Sequence, residues 1–332
     1  MKPETTQAAE SLAGSVAAAR SVSVVIPVYN SEKSLPSLME RLEAALLQLG
    51  IPYEAVLVDD GSRDGSWDSI RAIARNRPWV TGIQLMRNYG QHNALLCGIR
   101  RTTHETIITM DDDLQNPPEE IGKLLARLDQ GFDVVYGAPL REQHGFLRDV
   151  ASRITKIALQ SAMGAETARN ISAFRAFRAP LRAAFQEYHG PHPSIDVLLT
   201  WGTARFAVER VRHEPRLLGA SNYTVAKLIA HAFNMMTGFS ALPLEFASLL
   251  GFGFTLLGLI LLVYVIGRYL IQGAVVPGFA FLASVVIIFS GVQLLTLGIM
   301  GEYLARMHFR MMERPTYAVR ITTGEAPPSC QT

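Results

Sequence analysis

Three consecutive aspartates, Asp111-Asp112-Asp113, close an apolar run and precede Leu114-Gln115-Asn116-Pro117-Pro118. Like charges this close repel one another, so the run is unfavourable for folding by itself and points to a charged guest. On an extended chain, side chains two residues apart share a side, so Asp111 and Asp113 can grip one hard cation through oxygen. A cation held there can bind a diphosphate, which makes a nucleoside-diphosphate donor the natural ligand. The bland alternative is a solvated acidic turn. A second acidic pair, Asp59-Asp60, ends the run Val56-Leu57-Val58 and is followed by Gly61-Ser62.

The elements that must carry these acids alternate in type. Val22 to Val28 reads as a strand, and Glu32 to Leu49 as a helix with Leu35, Leu38, Leu42, Leu46 and Leu49 at helical spacing. Val56 to Val58 is a buried strand, Trp67 to Asn76 a helix, Ile83 to Met86 a strand and Asn93 to Arg101 a helix. Thr106 to Met110 is the strand that delivers the acidic triplet. Asn116 is placed to cap the next helix, with Pro117 at its first position and Glu119 closing a capping box. Asp133 to Tyr136 is a further strand. Strand–helix alternation predicts an α/β fold with a mostly parallel sheet and ligands at the carboxyl ends of strands, where Asp59, Asp60, Asp111 and Asp113 all fall. No Gly-x-Gly-x-x-Gly follows the first strand, which disfavours a dinucleotide-binding domain.

A chain of 332 residues has room for one full domain and an extra module, and its formal net charge of +2 gives no electrostatic footprint for nucleic acid. Cys97 and Cys330 are far apart with no metal-ligand spacing, which fits a reducing compartment. Residues 1–20 read as a flexible tail without the apolar core of a signal peptide. The last third differs: Phe246 to Ile266 and Val275 to Met300 carry no charge over 21 and 26 residues. Each exceeds the ~30 Å bilayer core at ~1.5 Å per residue, so two transmembrane helices are expected within 242–302. Arg306, Arg310, Arg314 and Arg320 beyond them, and Lys227 before, place the large domain and both termini on the cytoplasmic face of the inner membrane. Residues 21–222 are then the α/β domain, 223–241 a juxtamembrane amphipathic helix and 303–332 a cytoplasmic tail. Gly251, Gly253 and Gly258 could seat a neighbouring helix in a homo-oligomer.

Six segments in order, Val25-Ile26-Pro27-Val28-Tyr29-Asn30, Val58-Asp59-Asp60-Gly61-Ser62, Arg87-Asn88-Tyr89-Gly90-Gln91, Met110 to Pro118, Arg216 to Tyr223 and Gly298 to Leu304, carry a family likeness. The chain resembles the inverting glycosyltransferases of family 2, which have the GT-A fold, and within them the polyprenyl-phosphate branch that includes dolichol-phosphate mannose synthase and bactoprenol glucosyltransferase. The resemblance implies transfer of one hexose from a UDP- or GDP-linked sugar to a polyprenyl (undecaprenyl) phosphate. It assigns Pro27, Tyr29, Glu32, Val58 and Asp60, with Asp111 and Asp112, to the nucleotide. Asp111, Asp113 and Gln115 would bind Mg²⁺ or Mn²⁺, with Asp113 the residue on which turnover depends most. Arg148 and Ser152, on a helix expected over Phe146 to Ala162, and secondarily Arg175 and Arg216, would meet the acceptor phosphate. That phosphate is largely dianionic near neutral pH, its second pKa being about 6, so no separate base is assigned.

The sequence departs from the family in three places. Pro139 stands where relatives carry an Arg, with Arg141 two residues on. Asn170 replaces an acid, and Asn222 a lysine. These changes bear on the sugar, not on the reaction class. A processive synthase is disfavoured because no Gln-x-x-Arg-Trp run occurs, and a non-catalytic sugar-lipid scaffold would have no need of Asp111, Asp113 and Gln115 together.

Overall fold

The computed structural model describes residues 21–139, 170–190, 193–214, 242–272, 279–312 and 315–324. The chain divides into two compact units, residues 1–223 with 315–332, and residues 224–314. The first unit is built on an eight-stranded sheet in the order β7-β5-β6-β4-β1-β2-β3-β8. Its strands are β1 Val22–Val28, β2 Tyr53–Asp59, β3 Val80–Leu85, β4 Thr106–Thr109, β5 Val134–Pro139, β6 Arg175–Arg178, β7 Phe206–Val211 and β8 Val319–Thr322. β1 pairs in parallel with β2 and β4, β2 with β3, and β5 with β7, while β6 and β8 run antiparallel to their neighbours. The α/β class and the mostly parallel sheet are therefore as expected.

All seven residues of β1 are buried, as a central strand covered on both faces requires. Helix α1, Leu35–Leu49, buries Leu35, Leu38, Met39, Leu42 and Leu46, the face its leucine spacing foretold. α1 begins three residues later than read: Pro36 has no N–H to donate to Glu32 O, so residues 32–34 form a turn closed on Ser31 O before the regular helix starts. α2 is Ser66–Asn76, α3 Gln91–Arg101, α4 Ile121–Leu128 and α5 Ile195–Gly202.

Two expectations are corrected. Asn116 does not cap a helix: a 3₁₀ turn spans Pro118–Glu120, and Pro117 before it is extended at φ −62°, ψ 129°. The cause is steric, since the ring of Pro118 disfavours helical backbone at the residue before it. Glu119 turns to Arg41 instead of closing a capping box. The segment read as a tail, 303–332, contains β8, which pairs antiparallel with β3 and is only four residues long. So short a run carries no readable alternation. The helix expected over 146–162 and the juxtamembrane helix at 223–241 lie outside the described residues.

The second unit contains two long helices, α6 (Leu242–Gln272) and α7 (Phe279–Met311), which pack on each other with Phe254 and Phe289 edge to face at 5.8 Å. They enclose the uncharged runs except for residues 275–278, which are not described. Leu249, Phe252, Leu259, Val263, Leu270, Ile271, Leu294 and Leu297 are all exposed. Counted over the described residues alone, no helix is long and apolar enough to cross a membrane.

Close packing sets one test of the sheet–helix interface. A Cβ on Gly98 of α3 would lie 2.4 Å from Val25 Cγ1 and 3.1 Å from Val58 Cγ2, whereas one on Gly122 of α4 would meet only Leu49 Cδ2 at an ordinary 3.6 Å. Helix propensity favours alanine by about 1 kcal/mol at either site. Overpacking of about 1–3 kcal/mol outweighs it at Gly98 alone. Gly98→Ala should lower the thermal midpoint and Gly122→Ala should leave it unchanged or raise it, as read by thermal melts of the detergent-solubilised protein.

Candidate active site

The order of the strands creates the site. From β1 the chain builds β2 and β3 on one side, then returns to place β4 on the other, so the carboxyl ends of β1 and β4 open onto a crevice at the switch point. β1 delivers Tyr29 there and β4 delivers Met110, whose N–H still pairs with Val25 O at 3.2 Å, and then the three aspartates. β2 delivers Asp59 and Asp60 beside them.

Alternation sorts the triplet. Asp112 faces the β1 turn, where its Oδ2 accepts the Tyr29 N–H at 3.3 Å, and burial pushes its carboxyl above the usual range. Asp111 Oδ1 accepts from Gln91 Nε2 at 2.6 Å, and Asp113 Oδ1 accepts the Gln115 N–H at 3.1 Å. Between them Leu114 adopts φ 61°, a left-handed conformation costly for a residue with a Cβ, and its side chain enters the core. That single turn folds Gln115 back onto Asp113.

Asp60 is almost fully buried and receives two amides, Tyr89 N–H at 2.7 Å and Gly90 N–H at 2.8 Å. Asp59 receives the Ser62 N–H and Gln84 Nε2. The loops after β2 and β3 touch at Gly61, which has φ +69° and no room for a side chain: a Cβ would lie 2.6 Å from Arg87 C and 2.7 Å from Asn88 N. Asn30 binds the same loop from the other side through Ser62 Oγ and the Arg63 N–H.

The result is a cavity of about 260 Å³ lined by Pro27, Val28, Tyr29, Asp60, Asn88, Gly90, Gln91 and Asp111 to Asp113. Of the residues nominated from sequence, Pro27, Tyr29, Asp60, Asp111, Asp112 and Asp113 meet there. Glu32 does not line it and instead accepts the Gly65 N–H, while Val58 is buried in the core beneath. Asn88, Gly90 and Gln91 were not singled out individually, although the Arg87–Gln91 motif carried the signal. Arg148, Ser152 and Arg216 lie outside the described residues.

Arg175 is placed differently from a phosphate-binding arginine at a surface. It is buried on β6, bonded to Asp196 and to Thr109 Oγ1 at 3.0 Å, and lies 5.9 Å from the Tyr136 ring. Tyr136 completes the group by donating to Asp196 Oδ1 at 3.0 Å. The sequence signal was the position itself, a charge inside the apolar run Ala173 to Phe177.

Every charged residue lining the cavity is an aspartate. Among the described residues no three His, Cys, Asp or Glu side chains gather as a metal-holding group. A donor set of two carboxylates still fits the hard cations of this chemistry, because Mg²⁺ takes one or two carboxylates and fills its shell with water and substrate phosphate oxygens.

Known proteins resemble this chain at two levels. Residues 23–186 match the family model "Glycosyl transferase family 2". An undecaprenyl-phosphate 4-deoxy-4-formamido-L-arabinose transferase of Pseudomonas aeruginosa (strain LESB58) is 40% identical over 318 residues, covering 93% of this chain and 94% of that protein. The protein of the same description from Serratia proteamaculans (strain 568) is 38% identical over 311 residues, covering 93% and 95%. Among solved structures, glucosyl-3-phosphoglycerate synthase from Mycobacterium tuberculosis, in complex with Mn²⁺, UDP and phosphoglyceric acid, superposes with a TM-score of 0.50 at 20% identity, over 66% of this chain and 77% of that one. At that identity the likeness speaks for the GT-A-like fold.

The buried acid of the cavity predicts a pH signature. Desolvation raises Asp60 from 3.8 to about 6, against the pull of the Tyr89 and Gly90 amides. A carboxyl with a raised folded value stabilises the fold below its unfolded value and loses that contribution as pH rises through the folded one. Between about pH 4 and pH 6 the wild type should therefore lose stability relative to Asp60→Asn as pH rises. Paired thermal melts across that window check the sign.

Proposed function

This chain belongs to glycosyl transferase family 2, and we propose that it transfers one sugar from a nucleoside-diphosphate donor to a polyprenyl phosphate at the membrane surface. The observation that carries the proposal is the all-acidic cavity at the switch point. A diphosphate would be repelled by Asp60, Asp111, Asp112 and Asp113 unless a cation stood between. The acceptor and the sugar are taken from the curated relatives, which transfer 4-deoxy-4-formamido-L-arabinose to undecaprenyl phosphate. That sugar is a pentose derivative, and it replaces the hexose expected from sequence.

In this reading Asp111 and Asp113, with Gln115, would hold Mg²⁺ or Mn²⁺, which when bound would supply Lewis-acid neutralisation of the departing diphosphate. Pro27 and Tyr29 border the nucleotide, and Asp60, fixed by two amides, forms the floor of its pocket. The acceptor phosphate oxygen attacks the anomeric carbon, the bond from that carbon to the diphosphate oxygen breaks, and its electron pair leaves on the nucleoside diphosphate. Attack from the opposite face inverts the anomeric centre. The chain's work is alignment, since the nucleophile is already ionised. Arg148, Ser152 and Arg216 are proposed for the acceptor phosphate. The buried Arg175 supports the strand beneath the acids from its bond to Thr109, two residues before Asp111.

A lipid acceptor calls for a membrane-bound enzyme. α6 and α7 are 31 and 33 residues long, and at ~1.5 Å per residue each exceeds a ~30 Å bilayer core. Apolar side chains exposed along both helices suit a lipid surround, because in water that much exposed hydrocarbon drives association. The arginines at 306, 310 and 314 favour a cytoplasmic catalytic domain in the inner membrane. Small residues on α6 support a homo-oligomer.

Purified full-length protein with undecaprenyl phosphate, Mn²⁺ or Mg²⁺ and a panel of nucleotide sugars tests the reading. A metal-dependent lipid-linked sugar should form with the 4-deoxy-4-formamido-L-arabinose donor, and Asp113→Ala should cut turnover at least about 100-fold. Full activity in chelator, or in that variant, would sink the mechanism. Retention of the protein in alkali-washed membranes checks the anchor, and release into the supernatant would contradict it.

A further inference from the structure

Outside the cavity, the densest set of charge-assisted bonds among the described residues centres on Arg41 of α1. Its Nε and Nη2 donate to Glu119 at 3.0 and 2.9 Å, and its Nη1 and Nη2 donate to Glu214 at 3.0 and 3.1 Å. Glu119 lies in the 3₁₀ turn that follows the acidic loop, and Glu214 lies three residues beyond β7. Glu214 also donates its own N–H to Gln115 O at 2.9 Å, and the Gln115 N–H donates to Asp113 Oδ1 at 3.1 Å. An unbroken path of hydrogen bonds therefore runs from Arg41 through Glu214 and Gln115 to a carboxylate that lines the cavity.

Stability alone is a weak reason for such an arrangement. The Arg41 side chain is 28% exposed and both glutamates 38%, and ion pairs in that setting contribute little to stability. The loop beside it has a specific need. Leu114 sits at φ 61°, and a non-glycine residue held there persists only where its surroundings over-determine it. The loop is held before the turn by Asp112 on Tyr29, and after it by Glu214 on Gln115. Arg41 is what fixes Glu214, and Arg212 adds a second tie from the same segment to buried Glu120 at 2.7 Å.

We propose that Arg41 is a positioning residue for the divalent-cation site: by fixing Glu214, and through it Gln115, it sets the orientation in which Asp113 meets the cation. The inference rests on the cation reading above and adds to it a residue that touches neither donor nor metal. Residues that orient metal ligands commonly govern affinity by 10- to 100-fold when replaced.

Mn²⁺ binding to the full-length protein in detergent, followed by the EPR signal of free Mn²⁺, tests it in wild type, Arg41→Met, Glu214→Gln and Glu119→Gln. Arg41→Met and Glu214→Gln should weaken Mn²⁺ roughly 10-fold. Glu119→Gln, which leaves the Glu214 path intact, should stay within about twofold of wild type. In turnover assays the first two variants should need more Mn²⁺ for half-maximal rate and recover near-wild-type kcat when it saturates. If Arg41→Met does not fold, the two glutamine variants still decide. Equal Mn²⁺ affinity in Glu214→Gln and Glu119→Gln, whether unchanged or equally reduced, overturns the positioning role while leaving the cation reading standing. A wild type that binds no Mn²⁺ overturns both.

Discussion

Mutual repulsion among carboxylates gathered at the ends of neighbouring strands is the constraint around which the catalytic unit is arranged. Asp59, Asp60 and the triplet Asp111 to Asp113 would separate if the chain were free to move. They are held by backbone amides: Tyr89 and Gly90 on Asp60, Tyr29 on Asp112, Gln115 on Asp113. Each of these amides belongs to a loop that leaves or follows a buried parallel strand. The rigidity of the sheet is thus converted into a fixed arrangement of negative charge, and the surface loops inherit their precision from the core.

Buried charge elsewhere obeys the same logic. The Arg175–Asp196–Tyr136 group places a cation and an anion inside the protein, where each alone would be severely penalised. Paired, they join β5, β6 and the first turn of α5 beneath β4. The Arg175 cation is also felt by Asp111 above it, an attraction that partly offsets the repulsion within the triplet.

What could be read from the residues followed from periodicity and from charge placed against it. β1, β2 and α1 announce themselves through apolar runs and leucine spacing, and the acids at strand ends are conspicuous because nothing apolar explains them. The effects of single prolines were less legible. The 3₁₀ turn at Pro118 replaced a capped helix because that proline constrains the residue before it, and α1 started late because Pro36 lacks the N–H its first turn would use. Gln91 entered the site without individual notice, since an exposed glutamine at a helix start has no signature until Asp111 is seen opposite it. Membership of the cavity was legible residue by residue at the strand ends, and only as the Arg87–Gln91 motif for those that reach it from β3 and α3.

The strand Val319–Thr322 closes one edge of the sheet, yet nearly a hundred residues, including the entire helical hairpin, separate it from the rest of its unit. During synthesis β3 is complete long before its neighbour exists. Until Val319 to Thr322 leave the ribosome, Val80 to Leu85 presents an open row of amides and carbonyls of the kind that recruits foreign strands. The hairpin must therefore be made, and its apolar surface dealt with, while the sheet is still unfinished at that edge. A chain cut short after the hairpin would keep every acid of the cavity and still be born with a sticky border along β3.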